Sequence, residues 1–95
     1  MERASEAKGM MAWSLAGHDR GKLYVIIREE GDFVWLCDGR LRPLENPKKK
    51  RRKHIQIMKR IPAELGAVAP EKWKNEEIKH CICVVKKELA GGSYV

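Results

Sequence analysis

The chain has 95 residues, of which 43% are hydrophobic and 35% charged, and its formal net charge is +7. A chain of this length forms one small domain that buries roughly 60–65% of its unfolded surface, which argues against a large enzyme with a deep cleft. The apolar content is too high for simple disorder, and the positive charge favours nucleic acid or another anionic partner. The cysteine count of three excludes a fully paired disulfide framework, so a reducing compartment, the cytoplasm, is expected.

Short strands are indicated along the first two thirds of the chain. Residues 1–8 are polar and are expected to lack fixed structure. An extended segment over 10–15 precedes a glycine-flanked turn at 16–21. Segments 22–30 and 33–37 are rich in β-branched and aromatic residues, so they predict two strong strands joined by a tight turn. Asp38-Gly39 is a hairpin signal that predicts a returning strand over 40–44, and the alternation over 54–58 predicts a last strand.

Five short strands within about 50 residues are typical of a small β-barrel. The predicted barrel covers residues 9–58. Alternation along each strand selects its core positions, and a register slip of one residue would exchange the two faces. The predicted core residues are Met11, Val25, Ile27, Val34, Leu36, Leu41, Ile55 and Ile57.

The last third of the chain has a different pattern. Residues 59–74 contain prolines and are predicted to be a linker with one helical turn. From Asn75 onward the apolar spacing becomes helical, with Asn75 as N-cap and Gly91 as a stop, so residues 75–95 are predicted to be a helix and tail. The fold class is therefore mostly β with a C-terminal helix. The apolar stripe of that helix is Ile78, Cys81, Ile82, Val85 and Leu89.

The positive charge is concentrated in one segment. Residues 40–60 contain ten lysines and arginines and a single acidic residue, Glu45. Six of the ten form the continuous run 48–53, which falls between the last two predicted strands and is expected to project as a basic loop. A solvated loop and a nuclear-localisation patch are alternatives for such a run. Nucleic-acid contact is favoured, because charge that served only solubility would not need to be concentrated.

Several motifs then indicate a family. The sequence SLAGHDRG at 14–21 followed by YVI at 24–26 resembles a KOW motif. The pattern DG-x-x-RP at 38–43, PKKK at 47–50 and KHI at 53–55 is similar to small KOW-domain RNA-binding proteins related to a ribosomal large-subunit family, the fourteen-e class. The resemblance covers residues 9–56. Ala12 departs from it as a small residue in the first strand, and Trp13 departs as an aromatic expected on the surface.

The resemblance implies an SH3-like barrel that binds RNA in the translation apparatus. The expected ligand is structured ribosomal RNA, and ribosomal proteins are expected as further partners. The chemistry agrees, since the two glycines of the first turn let the backbone approach a phosphate and the lysines and arginines neutralise phosphate charge. The predicted RNA-binding residues are Gly17, His18, Arg20, Gly21, Lys22, Arg40, Arg42, Lys48, Lys49, Lys50, Arg51, Arg52, Lys53 and His54.

Four aromatic residues are candidates for stacking on bases, although most aromatics in a small barrel belong to the core. They are Trp13, Tyr24, Phe33 and Trp35. The competing hypothesis is a protein-interaction module of the transcription or translation machinery that docks through the barrel or the helix stripe. Burial of the stripe against the barrel would favour RNA, whereas an exposed stripe would favour a protein partner.

Other function classes are disfavoured. The paired spacing of a zinc site is absent among the four possible ligands Cys37, His80, Cys81 and Cys83. No metal or cofactor is therefore expected. No nucleophile, base and orienting group are placed together, and the first turn is not a P-loop, so neither an enzyme nor a small-molecule site is predicted. The longest apolar runs, among them residues 81–85, are only five residues long, whereas a membrane helix needs about 20 residues.

Overall fold

A five-stranded antiparallel sheet forms the centre of the molecule. The computed structural model describes residues 7–58, 61 and 63–92. The strands follow the order β4-β3-β2-β1-β5 across the sheet. The strands are β1 Met11–Ser14, β2 Leu23–Glu30, β3 Phe33–Cys37, β4 Lys48–Arg51 and β5 Ile55–Met58, and the α-helices are α1 Ala63–Gly66 and α2 Asn75–Gly92.

The sheet cannot be flat, because its two edge strands are neighbours in the sequence. β4 and β5 are separated by four strand spacings, about 19 Å in a flat sheet. The short 3₁₀ turn Arg52–His54 joins them, and the four residue steps of this connection reach at most about 14 Å. The sheet therefore curls until its edges approach. The prediction of a mostly β fold with five strands and a C-terminal helix is confirmed.

The curl encloses an inner apolar cluster. Alternate side chains of the strands point to the concave side, where they pack on one another. Ala12 lies in this cluster and is fully buried. The cluster consists of Ala7, Ala12, Tyr24, Ile26, Val34, Leu36 and Ile55.

The opposite face of the sheet is covered by α2. The predicted helical stripe is buried there at its first four positions, while Leu89 at the end of the stripe is 42% exposed. Trp13, expected on the surface, is partly buried against this cluster. The helix-side cluster consists of Met11, Leu23, Val25, Cys37, Leu65, Trp73, Ile78, Cys81, Ile82 and Val85.

Most of the predicted core is found, with one clear error. Met11, Val25, Val34, Leu36 and Ile55 are buried, which confirms those positions. Two further positions, 27 and 57, are only partly buried. The eighth, at position 41, is a leucine that is 77% exposed, so its assignment to the core was wrong.

That error arises because the returning strand predicted over 40–44 does not form. The Asp38 carboxylate accepts hydrogen bonds from the amides of Arg40 and Arg42, at 2.8 and 2.9 Å. These amides are therefore directed at a side chain and not at a neighbouring strand. The Leu44 amide donates to Asn75 Oδ1 at 2.8 Å, which ties the loop to the beginning of α2.

Gly39 has a different role from the predicted hairpin turn. Its φ is +80°, and a Cβ placed on it would lie 2.5 Å from the carbonyl oxygen of Asn75. The glycine thus permits the loop to approach the helix closely. Asn75 is occupied by this loop, so it is not the N-cap. Instead, Glu77 Oε1 accepts a hydrogen bond from the Lys74 amide at 2.9 Å, as in a capping box.

The remaining expectations concern the ends of the chain and the linker. Residues 1–6 of the polar N-terminus and residues 93–95 of the tail lie outside the described residues, while Ala7 is buried. The predicted linker contains α1, and its residues Leu65 and Trp73 are buried. The helix continues through Gly91 to Gly92. None of the described helices combines the length and apolar character needed to span a bilayer.

The packing predicts how the three thiols react. Cys37 and Cys81 are buried and Cys83 is exposed. Burial, with smaller contributions from Asp38 and Glu45, raises the pKa of Cys37 to about 12. We expect an aromatic disulfide reagent to label one thiol of the native protein rapidly and all three in urea, and Cys83→Ser to abolish the rapid phase. A rapid phase that persists in Cys83→Ser would contradict the packing of α2 on the sheet.

Candidate functional site

The basic run 48–53 is not a loop but the edge strand β4 followed by a 3₁₀ turn. The prediction of a projecting loop was therefore wrong. β4 pairs with β3 in antiparallel register, with Trp35 opposite Lys49 and Leu36 opposite Lys48. Because side chains alternate along a strand, the run is divided between two faces of the sheet.

Two lysines of β4 point to the side of the first turn and meet one carboxylate. Lys50 Nζ lies 2.7 Å from Asp19 Oδ1, and Lys48 Nζ lies 2.9 Å from Asp19 Oδ2. The Asp19 side chain is 8% exposed and that of Lys50 10%. Lys50 also donates to Ser14 Oγ and to the carbonyl oxygen of Ala16, each at 2.8 Å. An ammonium has three donors, so Lys50 is fully used within the protein.

Asp19 accepts further hydrogen bonds from Ser14 Oγ at 2.8 Å and from Tyr24 OH at 3.0 Å. Burial alone would raise the pKa of Asp19, but the hydrogen bonds from Lys50, Lys48, Ser14 and Tyr24 outweigh it and hold that pKa well below its usual value. Asp19 is therefore ionised throughout the neutral range. We call Ser14, Asp19, Tyr24, Lys48 and Lys50 the anchor.

The anchor excludes one of the four aromatic residues that were predicted to stack on bases. Tyr24 is 2% exposed and belongs to the inner cluster, so it cannot stack on a base. Burial, together with its hydrogen bond to Asp19, raises the pKa of Tyr24 far above that of an exposed tyrosine. The phenol therefore stays protonated and acts as a donor to the carboxylate. Its role is to hold the first turn on the sheet.

The other face of β4 presents cations over aromatic rings. Lys49 Nζ lies 4.3 Å from the centre of the Phe33 ring and 5.5 Å from that of Trp35. The Arg51 guanidinium lies 5.3 Å from the Phe33 ring, and the Arg28 guanidinium of β2 lies 4.5 Å from the Trp35 ring. Lys49 and Arg51 are exposed. We call these five residues the outer strand surface.

The 3₁₀ turn after β4 contains one restrained and one exposed cation. Arg52 donates from NH1 to Glu29 Oε2 at 2.6 Å and from Nε to the carbonyl oxygen of Gly31 at 2.8 Å. Lys53 is exposed, and His54 is partly buried while its carbonyl oxygen accepts from the Leu15 amide at 2.8 Å. Lys48, Lys50 and Arg52 thus serve the fold, whereas the intervening residues 49, 51 and 53 face solvent.

The first turn keeps the geometry that the two glycines predict. Gly17 and Gly21 both have φ of +88°, a conformation in which a side chain is strained. His18 and Arg20 are exposed on this turn. The Gly21 amide donates to the carbonyl oxygen of Ser14 at 2.8 Å, so this amide is not free to donate to a phosphate.

The remaining predicted residues lie at a second basic surface. Lys22 and Arg40 line a groove of about 430 Å³ between the loop after β3 and α2. Lys79 and Lys86 of α2 line the same groove, although neither was among the predicted site residues. Arg42 is partly buried in that loop. The predicted residues therefore divide between the β4 edge with its turn and this groove.

Sequence reasoning missed the acidic partners. Asp19 lies inside the motif at 14–21 and Glu29 lies within the strand predicted over 22–30, but neither was predicted to pair with the basic run. One signal was present in the sequence: a lysine run that alternates as a strand needs acidic partners on its inward side, and Asp19 is the acidic residue of the first turn. Lys79 and Lys86 are seven residues apart, which places them on one side of a helix.

No cluster of three or more histidine, cysteine or acidic residues suited to a metal ion occurs among the described residues. A scan against models of known protein families finds no match, and a search of curated proteins finds none either.

The anchor predicts a specific stability defect. Asp19→Asn removes the charge that compensates the buried Lys50 ammonium, and breaking a buried pair from one side typically costs about 3–5 kcal/mol. We expect urea unfolding at pH 7 to show a loss of about 3 kcal/mol. Asp32→Asn, which neutralises an exposed aspartate, is the matched control and should change stability little. Equal stability of Asp19→Asn and wild type would contradict the anchor.

The same variant predicts a pH dependence. The pKa of Asp19 is lower in the folded protein than its ordinary value of 3.8, so its contribution is complete above that pH and is lost as the pH falls below it. The stability difference between wild type and Asp19→Asn should be constant from neutral pH to about pH 5. Below 3.8 it should shrink by about 1.4 kcal/mol per pH unit. A difference that persists unchanged in acid would contradict the role of the ionised carboxylate.

Proposed function

We propose that this chain is a cytoplasmic RNA-binding protein of the translation apparatus, with an SH3-like barrel of the KOW type, and that it binds structured ribosomal RNA through the edge of β4 and the first turn. One observation carries the proposal. The anchor joins the two segments that were predicted to bind RNA, so the turn at 17–21 lies against the edge strand that presents Lys49, Arg51 and Lys53 to solvent.

The fold supports the KOW-type assignment. The motif at 14–21 is a turn between the first two strands, β1 and β2, as the resemblance implies. The sheet curls because a three-residue 3₁₀ turn joins its two edges. The aspartate inside the motif holds the turn against β4, which gives the loop a defined shape before any ligand binds.

Electrostatics supports a polyanionic ligand. Lys49, Arg51 and Lys53 of the run and Arg20 of the adjoining turn are exposed, and phosphates neutralised by such residues release counterions. An edge strand covered with lysine and arginine also resists pairing with a second sheet. The strand therefore remains open to RNA without becoming a site of aggregation.

The competing protein-docking hypothesis has less support. The stripe that would have docked a partner is buried on the sheet at Ile78, Cys81, Ile82 and Val85. What remains exposed of it, Leu89, is a single apolar side chain, and scattered apolar residues are normal on protein surfaces.

The proposal predicts a changed salt dependence. If the three exposed cations of the run and Arg20 each contact a phosphate, the log–log slope of affinity against salt is about −4 on duplex RNA. Replacing Lys49, Arg51 and Lys53 by glutamine should leave a slope of about −1 and weaken binding. The measurement is fluorescence anisotropy with a folded ribosomal RNA fragment at several salt concentrations, and circular dichroism should show an unchanged fold.

A matched control is available in α2 and the segment that precedes it. Lys72, Lys74 and Lys87 are exposed, and their triple replacement by glutamine removes the same charge from a different surface. This control should retain nearly the full slope. An equal loss in both triple variants would mean that only net charge matters, and a wild-type slope near zero would contradict RNA binding by this edge.

A further inference from the structure

The outer strand surface contains two aromatic residues that neither apolar core uses. Phe33 and Trp35 lie two positions apart on β3 and alternate with the buried Val34 and Leu36. Neither ring belongs to the inner cluster or to the helix-side cluster. Both rings are only partly buried, so they reach the surface of the sheet.

Cations surround these rings. The Arg28 guanidinium lies 4.5 Å from the Trp35 ring centre, and the Lys49 ammonium lies within 5.5 Å of both rings. Such contacts keep a cation at the ring face without neutralising it. The Arg28 guanidinium, however, also forms an exposed ion pair with Glu30 Oε1 at 2.8 Å. Aromatic faces flanked by cations are the combination that binds single-stranded nucleic acid, because bases stack on the rings while the cations contact the phosphates.

We propose that the outer strand surface is a stacking platform for unpaired bases of single-stranded RNA. This inference rests on the proposed function, and it specifies the form of RNA that the site takes. Phe33 and Trp35 contribute the stacking faces. Lys49 and Arg51 contribute the positive charge. Arg28, whose charge is paired with a neighbouring glutamate, offers the outer plane of its guanidinium to a further base.

The spacing of the rings selects single strands. Residues two apart on a strand are separated by about 6.7 Å, whereas successive bases in a stacked duplex strand are about 3.4 Å apart. Two adjacent bases can therefore meet both rings only after they unstack. Paired bases inside an A-form duplex are also shielded from side chains, so a duplex can use the cations but not the rings.

The test compares Trp35→Leu with Trp35→Phe. A leucine keeps apolar bulk and loses the π-face, whereas phenylalanine keeps a stacking face. Fluorescence anisotropy is measured with a short oligouridine and with an RNA duplex of equal length. We expect Trp35→Leu to weaken oligouridine binding by roughly 5- to 100-fold, Trp35→Phe to bind nearly as wild type, and the duplex affinity to be unchanged in both. Phe33→Leu should repeat the result of Trp35→Leu.

A second readout does not depend on the leucine variants folding. Oligouridine should quench the tryptophan fluorescence of the wild type, and this quenching should be much reduced in Trp35→Phe, which lacks that indole. Equal quenching in both proteins, or full oligouridine affinity in a folded Trp35→Leu, would overturn the platform. If the duplex still binds in those cases, the proposed function stands without it. If the wild type binds neither RNA, the proposed function and the platform fail together.

Discussion

The carboxylate of Asp19, held between two lysine ammonium groups, is the contact on which the arrangement of this protein depends. Lys48 and Lys50 come from the edge strand, while Asp19 belongs to the first turn. Without a buried negative charge at that point, two lysines on the inward side of a strand would repel each other and remain in water. The carboxylate therefore allows a basic segment to enter the sheet as β4.

Once β4 is in place, the rest of the charge pattern follows from strand geometry. Alternation sends Lys48 and Lys50 to the anchor and leaves Lys49 and Arg51 on the opposite face, above Phe33 and Trp35. Arg52 then pairs with Glu29 as the chain turns toward β5. A run that looks uniform in sequence thus contains residues that stabilise the fold and residues that face solvent.

The parts of the fold that sequence could predict are those with local periodicity. β-branched and aromatic residues predict β2 and β3, and a helical apolar stripe predicts α2. All three elements are present. β4 could not be predicted in the same way, because the groups that make it stable lie far away in the chain, at Asp19 and on the rings of β3. The turn glycines were predictable, since their positive φ depends on the turn alone.

In the loop after β3 the sequence predicts a strand that does not form. Asp38-Gly39 is a strong local hairpin signal, but the Asp38 carboxylate captures the amides of Arg40 and Arg42. Gly39 then packs against the beginning of α2, which only the tertiary structure determines. Likewise, the basic residues of the candidate site could be predicted from the sequence. Which of them are exposed and which are paired within the protein could not, because exposure depends on partners distant in sequence.

The most direct test of this account compares two adjacent lysines of the same strand, Lys49→Gln and Lys50→Gln. They make the same chemical change on opposite faces of β4. Urea unfolding and affinity for a folded ribosomal RNA fragment are measured for each, with wild type as reference. Lys50→Gln should lose about 3 kcal/mol of stability, because the buried Asp19 carboxylate loses its more buried ammonium partner and keeps only Lys48. Lys49→Gln should keep its stability within about 0.5 kcal/mol and lose RNA affinity. Equal effects of the two variants on both quantities would contradict the division of the basic run by the anchor.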